Sequence, residues 1–135
     1  MTLVPLCSVH IELERPINIG RGPAGHRMIA GITGMTLSGD RLNASLVGSA
    51  AADWLTIVDG VATIDVRATV ATAEGAHIYV QYTGRSDASA GMGSAPVYVS
   101  ARFETSNVRY DWLNRVVAVG KGDMNEMRYE WAELR

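Results

Sequence analysis

Residues 63–70 read TIDVRATV. Thr63, Asp65, Arg67 and Thr69 alternate with Ile64, Val66, Ala68 and Val70, so one face of the segment is polar and the other apolar. Alternation with period two marks a β-strand that buries one side. The pattern recurs near both ends of the chain. Ser8, His10, Glu12 and Glu14 oppose Val9, Ile11 and Leu13, and Met127, Tyr129 and Trp131 oppose Glu126, Arg128 and Glu130. Helical periodicity is nearly absent.

Turn signals punctuate these runs. Asp59-Gly60 lies between DWLTIV and VATIDVRATV and is a strong hairpin signal. Glu74-Gly75 and Ser38-Gly39-Asp40 separate other strand-like runs, and Gly120 and Gly122 predict a bulge or bend in the last apolar run. Residues 84–96, GRSDASAGMGSAP, form the longest loop-like segment. Short strands with frequent turns predict an all-β chain of about eight to ten strands, as an antiparallel barrel or sandwich with at most a short helical turn.

At 135 residues the chain is within the usual size of one domain, and no linker divides it, so residues 1–135 are read as a single domain. A hydrophobic fraction of 47% and a charged fraction of 19% are those of a globular chain. Cys7 is the sole cysteine and has no disulfide partner within the chain. With 12 basic and 14 acidic residues the net charge is −2, which gives no bulk attraction to nucleic acid or to an anionic membrane. No signal-peptide pattern opens the chain, and no apolar run approaches the roughly 20 residues that span a bilayer. The expected location is therefore cytoplasmic. Two-sided apolar runs such as VVAVG, residues 116–120, suggest a homo-oligomer.

The usual catalytic motifs are missing. His10, His26 and His77 stand on separate segments without metal-ligand spacing, so no metal site is expected. GRGPAGHR, residues 20–27, is glycine-rich but precedes a strand-like run rather than a helix. It reads as a turn from which Arg21 or Arg27 could lean into a cavity mouth. No G-x-S-x-G is present. Asp65 and Arg67 share one strand face. Outside, they are a solvated pair worth little; inside, they are costly and need partners. Periodicity alone favours the solvated face. Asp53-Trp54 reads as a strand start with a core Trp. Glu104 shares a face with Tyr98, Ser100 and Arg102. In FETSNVRYDWLN, residues 103–114, Tyr110, Trp112 and Asn114 cluster where strand texture breaks, and RYDWLN is read as a tight helical turn.

Taken in order, GPAGHR, GITGMTLSGDRLNASLVGSAAADW, DGVATIDVRATVATAEGAHIYVQYTG, YVSARFET, YDWLN and VVAVGKG resemble the bacterial and fungal family of unknown function DUF3237. The match spans nearly the whole chain. It departs at Gly48-Ser49-Ala50-Ala51, where the family often has Pro-Gly-Gly before Ala-Asp-Trp. The resemblance implies a compact antiparallel β-barrel, similar in kind to allene-oxide-cyclase and dirigent barrels, with an enclosed apolar cavity. It also implies that Asp53, Asp65, Arg67, Glu104, Tyr110, Trp112 and Asn114 gather near that cavity, which would turn Asp65 and Arg67 inward.

The expected function is a small cofactor-independent enzyme, an isomerase, dehydratase (lyase) or cyclase, acting on an apolar carbonyl- or hydroxyl-bearing metabolite. In it Asp65 or Glu104 would move the proton, Arg67 and Arg102 would stabilise an oxyanion, and Tyr110 would donate a hydrogen bond. Asp53, Trp54, Tyr79, Trp112 and Asn114 would hold the ligand. The rival is a lipocalin-like binding protein without turnover. A third reading is a structural subunit in which Asp65 and Arg67 pair inside the barrel.

Overall fold

A computed structural model describes residues 1–135. It is all-β: ten strands and one 3₁₀ turn, Asp111–Arg115. The strands are β1 Leu3–Leu13, β2 Ile17–Gly22, β3 Gly25–Ser38, β4 Ala44–Leu46, β5 Ala52–Val58, β6 Val61–Ala71, β7 His77–Asp87, β8 Val97–Glu104, β9 Val117–Asp123 and β10 Arg128–Leu134. All pairings are antiparallel. Eight strands close a barrel in the order β1-β10-β9-β8-β7-β6-β5-β3, with β1 returning to pair β3. Two lie outside this ring. β2 runs along the first half of β3, and the three-residue β4 continues the place of β5 between β3 and β6.

The alternation seen in the sequence sets which face turns in. On β6, Ala62, Ile64, Val66, Ala68 and Val70 are buried and the residues between them are not. On β8, Val97, Val99, Ala101 and Phe103 are buried and Tyr98, Ser100, Arg102 and Glu104 are exposed. Burying one branched apolar side chain contributes about 1.5–3 kcal/mol, so Ile64, Val66 and Val70, with two alanines between and before them, fix the register of β6 against a slip that would expose them all. Asp59-Gly60 makes a two-residue hairpin with Val58 facing Val61, and both residues have positive φ, 50° and 77°, as a type I′ turn requires.

Two local expectations are corrected. The loop is shorter than 84–96, because β7 runs on to Asp87, held between β6 and β8; only 88–96 is irregular. Gly120 and Gly122 make no bulge: β9 and β10 pair in unbroken register. Their inner faces instead carry the rings of Trp131 and Tyr129, which a Cβ at either position would strike.

The two ends of the barrel differ. At one, the 3₁₀ turn inserts Leu113, which with Leu42, Val70 and Ile78 is at most 1% exposed, and the interior is plugged. At the other, where the Asp59-Gly60 and β9–β10 turns lie, the inner-face residues Met28, Asp53, Leu55, Ile57, Met124 and Met127 are only half-buried. Leu55, Met124 and Met127 pack onto the core there, and solvent reaches the inner face in part; this is the open end of the barrel in that sense. No helix is long and apolar enough to cross a membrane.

Candidate functional site

The polar residues singled out in the sequence do not gather inside the barrel; Tyr79, Arg102, Glu104 and Asn114 instead line one hollow of about 310 Å³ on the outer wall, where β7, β8 and the start of β9 meet the 3₁₀ turn. Asp65 and Arg67 lie on the outer face of β6, because the inner face takes the apolar set. Glu104 and Arg102 lie on the outer face of β8 for the same reason. The inward placement implied by the family resemblance is therefore overturned for Asp65, Arg67 and Glu104. Tyr79 is also on the outer wall, opposite Glu104, with its hydroxyl 3.4 Å from Oε1 of Gln81. Glu104 and Tyr110 share no space with Asp65 and Arg67.

Residues 103–114 close the plugged end. Tyr110 is buried and its hydroxyl donates to Oε1 of Glu74 at 2.9 Å. The Asn114 side chain clasps the main chain of Thr105 twice: Oδ1 accepts from its N–H at 2.8 Å and Nδ2 donates to its carbonyl at 2.9 Å. Trp112 packs against the core beneath Arg41, whose guanidinium carbon is 5.1 Å from the ring centre. Arg41 also donates to Glu133 at 2.8 Å and to the carbonyl of Pro5 at 3.0 Å. Tyr110, Asn114 and Arg41 are thus each held by a partner at this end of the barrel.

One expected site residue does face inward. Asp53 pairs with Val66 and Ala30, so its side chain shares their inner face. Oδ1 accepts from the main-chain N–H of Asp65 at 3.1 Å. Burial pushes its carboxyl up to about 6; the nearby Asp65 adds to the rise, and the Asp65 N–H opposes it. Further in stand Tyr82, Tyr129 and Trp131. The Tyr82 ring centre is 5.3 Å from that of Trp131 and 6.2 Å from that of Tyr129. Burial raises the Tyr82 hydroxyl well above its ordinary value and pushes Tyr129 up to about 12, and the Asp53 charge raises both. Both phenols are therefore neutral hydrogen-bonding groups. The indole N–H of Trp131 is buried without a partner, which costs about 1–3 kcal/mol.

These aromatics pack the middle of the barrel, so the interior is filled where the resemblance implies an enclosed apolar cavity. The larger hollows lie on the outer walls and ends. The largest, about 860 Å³, is an open depression over β7 to β10. Its charged groups are already engaged: Arg85 donates to Oγ1 of Thr63, Glu130 accepts from Ser8, and Lys121 lies 5.9 Å from the Tyr98 ring centre. Volume favours that depression, but perturbed chemistry favours Asp53. We take the latter as the site, because a carboxylate on an apolar face costs stability that packing alone does not require.

On the outside of the same stretch, Arg67 lies 6.0 Å from the Trp54 ring centre and Arg27 donates to the Trp54 carbonyl at 2.9 Å. Asp53 and the main chain of Asp65 thus meet at one point of the wall, with Trp54 and Arg67 across it. Sequence reading missed Tyr82, whose only signal was its place in the alternation of IYVQYT.

The family described as protein of unknown function (DUF3237) matches residues 1–133, and the chain belongs to it. No curated protein matches. Among solved structures, a β-barrel-like protein from Acinetobacter baumannii is 30% identical, with 99% of this chain and 96% of that chain covered and a TM-score of 0.87. A protein of unknown function from Clostridium acetobutylicum is 20% identical, with 100% and 99% covered and a TM-score of 0.89. An enzyme from Penicillium herquei is 24% identical, with 99% and 94% covered and a TM-score of 0.80. The last two likenesses establish the fold alone.

Proposed function

We propose that this member of the DUF3237 family is a small-molecule enzyme whose acid–base group is Asp53. The observation that carries the reading is a carboxyl group on the apolar inner face, pushed up to about 6, at the open end of the barrel. Near neutral pH such a group exists in both forms, so it can give a proton in one step and take one in another. The reactions proposed are isomerisation, dehydration or cyclisation of an apolar carbonyl- or hydroxyl-bearing metabolite. Each moves protons between atoms of the substrate and needs no oxidant. Half-buried Met28, Leu55, Met124 and Met127 would line the entry, and adaptable thioether side chains suit an apolar body. Asp65 contributes its main-chain N–H rather than its carboxylate. That the Penicillium neighbour is called an enzyme supports the class of function and carries no reaction with it.

The second reading, a carrier, is favoured by the same methionine-lined entry. Incubating wild type and Asp53→Asn with a small-molecule metabolite extract in D₂O, followed by mass spectrometry, separates the two. Enzyme action changes a compound by isomerisation, loss of water or deuterium uptake with wild type. Positioned acid–base catalysis is worth ~10²–10⁴ in rate, and Asp53→Asn should lose about that much. Equal conversion by both proteins would remove Asp53 from the chemistry. A compound retained by both and altered by neither would establish the carrier.

A further inference from the structure

Counted from the Asp59-Gly60 turn, β5 and β6 hold one register: Val58 faces Val61, Thr56 faces Thr63, and Asp53 faces Val66. Alternate pairs of an antiparallel ladder exchange two main-chain bonds. Starting from Val58–Val61, Trp54 and Asp65 fall on such a pair. The ladder is interrupted there, and Trp54–Asp65 and Leu55–Ile64 both drop out of the pairing. The missing bond is the one from the Asp65 N–H to the Trp54 carbonyl, and side chains satisfy each half of it. The Asp65 N–H donates to Oδ1 of Asp53 at 3.1 Å from the inner side. The Trp54 carbonyl accepts from Nη1 of Arg27 at 2.9 Å, and Arg27 reaches it from β3.

We propose that Arg27 is a positioning residue for Asp53, occupying the Trp54 carbonyl so that the Asp65 N–H stays available to the carboxylate. A carbonyl already bearing a charged donor is a weaker acceptor for a second one, whereas the carboxylate competes strongly for the same N–H. Arg27 thereby acts on the inner-face acid from the opposite side of the wall without touching a substrate. The inference rests on the reading of Asp53 as the acid. The other titratable groups near the carboxylate are Asp65 from β6, Tyr82 from β7 and Tyr129 from β10. β3 contributes the apolar Met28 and Ala30 on that face and, two pairs beyond Asp53 toward the Asp59-Gly60 turn, His26, which faces Ile57 and lies 2.7 Å from Oδ1 of Asn18. Both tyrosines stay neutral through the range in which Asp53 titrates.

The test is a carboxyl ¹³C NMR titration of Asp53, assigned with Asp53→Asn, in wild type, Arg27→Met and Arg27→Lys. Arg27→Met keeps the apolar stem and removes the donors. The freed Trp54 carbonyl should then recapture the Asp65 N–H. Losing that donor should raise the Asp53 midpoint by about one unit or more, the size of a charge-assisted bond. Arg27→Lys, which retains a donor, should restore most of the shift. A folded Arg27→Met with a midpoint within ~0.3 units of a wild-type value near 6 overturns the role of Arg27 and leaves the acid reading intact. A wild-type midpoint near the ordinary ~4 overturns both. Wild type alone also decides the geometry. The scalar coupling across the Asp65 N–H bond should run to the Asp53 carboxyl carbon, and a coupling to the Trp54 carbonyl carbon instead overturns the proposal.

Discussion

Asp53→Asn should stabilise the fold while removing the proposed chemistry. In the unfolded chain Asp53 titrates near ~3.9; in the fold burial pushes it up to about 6. Below about pH 4 both states hold the proton and nothing is lost. Between about pH 4 and 6 the unfolded chain releases its proton first, so stability falls as pH rises. Above about pH 6 the loss is complete, and two units correspond to a ceiling of about 3 kcal/mol. Asparagine is neutral at every pH and keeps an oxygen to accept from the Asp65 N–H, so the variant escapes the loss without forfeiting the bond. Relaxation around a partly exposed group should leave about 1–2 kcal/mol of the ceiling, which for a chain of this size raises Tm by roughly 4–8 °C. Melting curves followed by circular dichroism at pH 4.0 and 7.5 measure it. The gap between variant and wild type should be several degrees at pH 7.5 and close to zero at pH 4.0. A variant that melts at or below wild type at pH 7.5, or a gap that does not change with pH, would refute the argument that Asp53 is held as a destabilising acid.

Gly122→Ala places a methyl against the Tyr129 ring with no room to yield, and urea unfolding should show a loss of about 1–3 kcal/mol or more; a loss under ~0.5 would show that the ring can shift. Asn114→Ala removes both bonds to Thr105 and should cost about 1–2 kcal/mol, while any turnover assigned to Asp53 stays at the wild-type rate; a loss of turnover without a loss of stability would return Asn114 to the site. The Cys7 thiol, buried and pushed up to about 12 chiefly by that burial, holds roughly 10³-fold less thiolate at pH 8 than a free cysteine. It should be silent to a thiol-disulfide reagent in the folded protein and react promptly in urea; prompt reaction in the native state would contradict its placement.

The barrel was largely legible because alternation and turn chemistry act locally. On β6, five apolar residues at every second position leave one choice of inner face, and Asp59-Gly60 accepts the left-handed φ values that its hairpin needs. The glycines of β9 were misread because a glycine in a strand has two meanings, a bend in its own backbone or room for a neighbour. Which one holds depends on Trp131 and Tyr129, which sit on the next strand and are known only once register is set. The end of β7 was misread because GRSD is polar and small, yet both its neighbours supply backbone partners, and hydrogen bonding overrode composition.

The site was legible in part, and the reason lies in the spacing of its groups. Asp65 and Arg67 stand out because they interrupt a clean strand, but alternation itself sends them outward. The inward placement had only the family resemblance behind it. FETSNVRYDWLN stands out because it is rich in polar groups, and it closes one end, with Asn114 held by Thr105 and Tyr110 held by Glu74. Asp53 was the harder case. It lies where the small residues of GSAAADW merge into β5, and no neighbour in sequence reports its face. Its inward direction follows from pairing with Val66, thirteen residues on, and its bond follows from the Asp65 N–H, which a regular strand would have given to Trp54. A carboxylate that displaces a main-chain acceptor leaves no trace in composition or period. It becomes visible only as a gap in a ladder whose two sides are each held by a charged side chain, and such a gap costs backbone pairing that the barrel could otherwise have made. That cost, added to the burial of the acid itself, is why Asp53 rather than the more conspicuous polar cluster is the residue on which a functional reading should rest.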